Sequence, residues 1–130
     1  MKQFFDSDDE FHSAMEEIIE KVPTTTTKEI FRSFLNIRPK VFDECYWQLN
    51  EFHKEFSTYI ANHLTEAIDF IKNDCSEFDF VLLSEIFDEI VEKSKSREFI
   101  EILRETAKKY PNACEEYNII TCIDEAEGYL

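Results

Sequence analysis

The chain has 130 residues, a formal net charge of −15 and a hydrophobic fraction of 43%, enough apolar material for one compact core, while a mean hydropathy of −0.41 leaves no surplus for a membrane. One Gly and three Pro leave almost no residue that takes positive φ without strain, which excludes glycine-rich phosphate loops and hairpin-rich β architectures. The expected fold is therefore all-α: a single domain over residues 1–130, of about five to seven helices, built as an irregular bundle or as stacked antiparallel helix pairs.

Ser7 with Glu10 has capping-box form and opens a first helix whose Phe11, Met15, Ile18, Ile19 and Val22 recur at helical spacing until Pro23. A threonine run follows, and Thr26 with Glu29 opens a second helix to about Ile37, ended by Arg38-Pro39. Pro39 suits the start of a third helix. From Val41 to Ile71 the apolar residues stay in one phase, as one long helix or two nearly collinear ones, with a break expected near Ser57-Thr58 because an unbroken helix would be about 45–50 Å long. Asp74 with Glu77 offers a box for a helix from about Ser76 to Lys93, and Ser94-Lys95-Ser96 reads as a polar turn. Ser96 caps a further segment stopped by Pro111, and a last segment runs to Gly128, placed where a helix C-terminus favours glycine.

Cys45, Cys75, Cys114 and Cys122 include no CxxC pair, so the reading is four reduced thiols in a cytoplasmic protein, with neither a zinc ribbon nor a disulfide scaffold. Residues 1–6 lack the apolar h-region of a secretory signal. A net charge of −15 repels phosphate backbones and anionic lipids, so direct nucleic-acid and membrane binding are not expected. Nucleophile elbows and phosphate cradles need glycines at fixed positions, and Glu-x-x-His metal pairs are missing. No catalytic residue, cofactor or metal is assigned on this basis. His53 and His63, facing the apolar sector of the long helix, read as hydrogen-bonded core residues; a metal or catalytic site around them and Cys45 is the third-ranked alternative.

The negative charge is blocked along the chain. Residues 1–27 carry −5, 28–58 carry 0, 59–93 carry −7, 94–111 carry +2 and 112–130 carry −5. On a continuous 76–93 helix, Glu85, Asp88, Glu89 and Glu92 form one stripe with like charges at i,i+4, each pair costing about 0.2–0.5 kcal/mol. Local repulsion without local compensation marks a surface prepared for a cationic partner. Glu115, Glu116, Asp124 and Glu125 supply a second acidic wall, Tyr117 and Tyr129 its aromatic contacts. Trp47, on the polar side of its helix, is either covered by another element or an exposed interface anchor.

Small size, dense helices and the acidic tail PNACEEYNIITCIDEAEGYL from Pro111 to Leu130 give a chain that resembles the immunity proteins of bacterial contact-dependent and other polymorphic toxin systems. The resemblance implies a non-catalytic inhibitor that binds a cognate basic toxin domain, often a nuclease, and blocks its active site or substrate groove. The alternative is a helical adaptor or regulatory domain that uses a hydrophobic groove.

Overall fold

A computed structural model describes residues 4–130. The described residues are all-helical, with nine α-helices and two 3-10 turns and no strand. The helix count exceeds the five to seven expected because three of the anticipated segments are each broken in two. The chain groups into two compact units, one up to Phe56 and one from Ser57 to Leu130.

In the first unit, α1 (Asp8–Lys21) begins where Ser7 accepts a hydrogen bond from the Glu10 N–H, and Asp8, Asp9 and Glu10 occupy its favourable positive end. It buries Phe11, Met15 and Ile18 and leaves Ile19 exposed. α2 (Thr27–Ile37) starts from the Thr26 cap and buries Ile30, Phe31, Phe34 and Leu35. Phe34 stacks on Phe56 at 4.6 Å between ring centroids and meets Phe52 edge-on at 6.0 Å, so the aromatic sector of the third helix is core, as its spacing requires.

Pro39 does not open that helix. It lies in a 3-10 turn, Arg38–Lys40, and α3 (Tyr46–Asn62) begins six residues after Lys40. The cause is the buried Arg38, whose guanidinium donates to the Val41 carbonyl at 3.0 Å and pairs with Asp43 at 2.7 Å. A buried guanidinium needs such acceptors, and holding them keeps residues 41–45 out of helix. Gln48, also buried, donates to Asp8 at 2.9 Å.

The second unit holds the C-terminal end of α3, then α4 (Leu64–Asn73), α5 (Glu77–Ser84), α6 (Phe87–Ser94), α7 (Arg97–Ala107), α8 (Pro111–Glu116) and α9 (Ile119–Glu127). The break expected near Ser57-Thr58 falls at His63, where the backbone turns to φ −131° and the His63 Nδ1–H donates to the Tyr59 carbonyl at 2.8 Å. The rings of Tyr59 and His63 stack at 4.1 Å. α5 starts close to the expected position, but its cap is Ser76 with Asp79 as the reciprocal partner, and not the Asp74–Glu77 pair read from the sequence.

The core of this unit centres on α9, which packs most extensively on α6 and α7, while α4 packs on α7. Phe80, Phe87, Ile90, Phe99, Leu103, Ile119 and Ile123 are all fully buried. Pro111 opens α8 at its first position, where its missing N–H costs nothing, instead of merely stopping α7. Gly128 closes α9 in ordinary right-handed backbone; the left-handed positions are Lys95 and Asn118, at φ 53° and 54°. No helix among the described residues is long and apolar enough to cross a membrane.

Candidate functional site

The acidic stripe read from residues 76–93 presupposes one helix, and the chain makes two. The Glu85 and Ile86 N–H groups close tight turns onto the Leu82 and Leu83 carbonyls, and α6 begins afresh at Phe87. This break places Asp88 and Glu89 in the first turn of a new helix, where its positive end favours carboxylates. The Asp88 carboxylate accepts the Glu89 N–H at 2.8 Å. Glu89 itself accepts from the fully buried Ser57 hydroxyl at 3.3 Å, and Lys93 lies 3.7 Å from its carboxylate while donating to Ser57 at 2.9 Å. Glu85 is exposed at the end of α5 and Glu92 is exposed in the last turn of α6. The four residues thus do not form the uncompensated row that a continuous helix predicts.

The second wall also divides. Asp124 is 3.0 Å from Arg104, which reaches Glu127 at 2.6 Å, and Arg97 lies 3.4 Å from the same glutamate. These two carboxylates hold the Arg104 guanidinium even more firmly protonated than usual. Burial, which acts most strongly, and the charges of Glu125 and Asp88 raise the pKa of the half-buried Cys122 thiol. Glu115 lines a groove of about 510 Å³ with Arg104, Lys108, Ala107, Pro111 and Ile120.

Glu116 lies in a different recess. Between α5 and α8 a cleft of about 200 Å³ is lined by Glu77, Phe78 and Val81 on one side and Asn112, Ala113, Glu116 and Tyr117 on the other. Phe78 is 59% exposed and Tyr117 51%. The neighbouring Glu116 carboxylate, with Glu77 adding charge, raises the pKa of the Tyr117 phenol. Glu77 also adds to the burial that raises the Cys114 thiol. In protein-family models, curated proteins and solved structures alike, nothing matches this chain.

Sequence reasoning takes Glu77 only as a capping partner and does not single out Phe78, although a signal for Phe78 is there. Counting about 100° per residue from Phe80 puts Phe78 near 160°, within the sector otherwise occupied by acids. In the first unit, Trp47 is 50% exposed and rests edge-on against His12 at 5.1 Å and Phe11 at 6.0 Å. His53, beside Phe52, and His63 are both half-buried. Among the described residues no three His, Cys, Asp or Glu side chains gather as a metal-ligand set.

Proposed function

We propose that this chain is a non-catalytic binding protein that docks onto a cationic protein through the acidic surface of its second unit. In the fullest form of this reading it is an immunity protein whose basic partner is a toxin domain, a nuclease being the partner that best fits the charge, and it covers that domain's active site or substrate groove. One observation carries the reading. In a unit with 17 acidic and 7 basic residues, Glu77 and Glu116 line one cleft with two exposed aromatic rings. Charge of one sign steers the encounter and sets its rate, while aromatic anchors in recesses supply much of the affinity. Glu115 and Glu125 add to the field of the unit; Asp124, engaged by Arg104, contributes less.

The test begins with the reading frame adjacent to this one. If it encodes a basic toxin-like domain, co-expression of the present chain should relieve its toxicity, and the two purified proteins should associate at a rate that falls steeply with salt. The combined substitution Glu115→Gln, Glu116→Gln and Glu125→Gln should slow association while leaving the helical content intact. Unrelieved toxicity, or an association rate indifferent to salt, refutes the proposal.

A second reading, the adaptor, draws on the groove along α7, α8 and α9, whose floor of Ala107, Pro111, Cys114 and Ile120 is apolar. It requires a partner helix with apolar contact residues and weak salt dependence.

A further inference from the structure

In the cleft between α5 and α8, aromatic surface and negative charge coincide. Phe78 and Tyr117 are large rings left more than half in solvent, although an exposed apolar ring forgoes the burial that stabilises the core. Glu77 and Glu116 line the same space, together with Val81, Asn112 and Ala113. Each part restricts the occupant. At about 200 Å³ the cleft is smaller than the roughly 300–1,000 Å³ of small-molecule pockets and suits a single long side chain. An anion would face two carboxylates. A purely apolar group would strip water from those carboxylates without replacing it. A cation is attracted both by the charge and by the electron-rich faces of the rings. Among cationic side chains the guanidinium is planar and weakly hydrated, so it stacks on an aromatic face and still pairs with a carboxylate at its edge, which a compact, strongly hydrated ammonium does less well.

Building on the reading of a cationic partner, we infer that this cleft receives one arginine side chain of that partner, its guanidinium against Phe78 and Tyr117 and its N–H groups directed to Glu77 or Glu116. The Tyr117 phenol, kept protonated by its neighbouring carboxylates, leaves the negative charge of the cleft on Glu77 and Glu116.

The experiment titrates the full chain, at low salt and by calorimetry, with capped hexa-arginine and capped hexa-lysine peptides of equal charge. Carboxylates alone favour guanidinium only modestly, so the cleft is read from the part of the preference that depends on its rings. The unaltered chain should prefer the arginine peptide by about five- to tenfold. The double variant Phe78→Ala, Tyr117→Ala, which keeps the net charge, should reduce that preference to about twofold or less. Since both rings are more than half exposed, the variant should keep its helical circular dichroism, and the single change Phe78→Tyr should retain the preference. Equal binding of both peptides by the unaltered chain, or a preference above about twofold that survives in the double variant, overturns the arginine recess and leaves the acidic docking surface standing. A chain that binds neither peptide overturns both.

Discussion

Glu89 and Glu92 give opposite predictions depending on whether residues 76–93 form one helix or two. On a continuous helix both belong to a self-repelling row, and neutralising either one stabilises the protein by about 0.2–0.5 kcal/mol. In the structure Glu89 occupies the first turn of α6, 3.7 Å from Lys93 and 3.3 Å from the buried Ser57 hydroxyl. Glu89→Gln keeps the shape and one acceptor but loses the charge. The favourable position at the helix start contributes about 0.3–1 kcal/mol, and the i,i+4 pair with Lys93, two-thirds buried on both sides, about 0.3–0.5 kcal/mol. Solvent screening at that exposure trims both, so the expected loss is about 0.5–1.2 kcal/mol. For a chain of this length that lowers the thermal midpoint by about 2–6 °C. Glu92, exposed near the negative end of the same helix, should behave oppositely: Glu92→Gln should be neutral or stabilise by up to about 0.5 kcal/mol. Urea titration of both variants, followed by circular dichroism at 222 nm, reads the pair. A Glu89→Gln protein as stable as the parent, or more stable, refutes the two-helix account of these charges.

Four further outcomes are expected. Ser76→Ala, which removes the hydroxyl accepting the Asp79 N–H at 3.1 Å, should cost about 1 kcal/mol, seen as a lower urea midpoint with unchanged slope. Ser94 has a buried hydroxyl oxygen with no hydrogen-bond partner, so Ser94→Ala should be neutral or stabilise by up to about 1 kcal/mol in the same titration. Burial raises the pKa of Tyr110, which donates to the Cys75 carbonyl at 2.8 Å, and of Cys114. With folded pKa values above the unfolded ones, both groups favour the folded state fully at neutral pH, and that contribution disappears as pH rises through the thiol and then the phenol range. Stability should therefore fall above about pH 9, and Tyr110→Phe should lessen the fall. Trp47, half exposed, should emit to the red of a buried indole and be quenched by acrylamide, and His12→Ala, which removes the imidazole edge at 5.1 Å, should change its intensity.

Three helix starts were legible in the sequence because a cap is a local chemical event. Ser7, Thr26 and Ser96 each accept the N–H three residues on, and nothing distant is needed for that; Ser76 does the same for α5, where Asp74 offered a competing cap two residues earlier. The interior breaks were not legible. Apolar periodicity continues in phase through His63 and through Glu85-Ile86, and a pattern that reports which face is buried carries no information on whether the backbone between two such residues is helical. Those breaks depend on main-chain turns and on contacts such as the Tyr59–His63 pair. At Asn118 a signal existed and was passed over: asparagine tolerates left-handed backbone, and it takes that conformation between α8 and α9. Arg38 escaped for another reason, since a single arginine in an otherwise polar turn gives no sign that it will be buried and made to organise the following loop.

The same distinction decides which part of the charge argument survives. Like charges at helical spacing imply repulsion only if the helix is real, and a single turn between Glu85 and Phe87 changes an unfavourable row into a helix start that welcomes two of its acids. Net charge is not open to such rearrangement. The second unit has 17 carboxylate side chains and 7 basic ones, so ten carboxylates would remain even if every lysine and arginine paired within it. Arg97, Arg104, Lys93 and Lys108 are already within 4 Å of Glu127, Asp124, Glu89 and Glu105. The surplus is fixed by composition; the fold determines only where it is concentrated and beside what. Beside Phe78 and Tyr117 it adjoins rings that themselves attract cations. A docking surface is therefore better sought where excess charge meets exposed aromatic area than where acids merely recur at helical intervals.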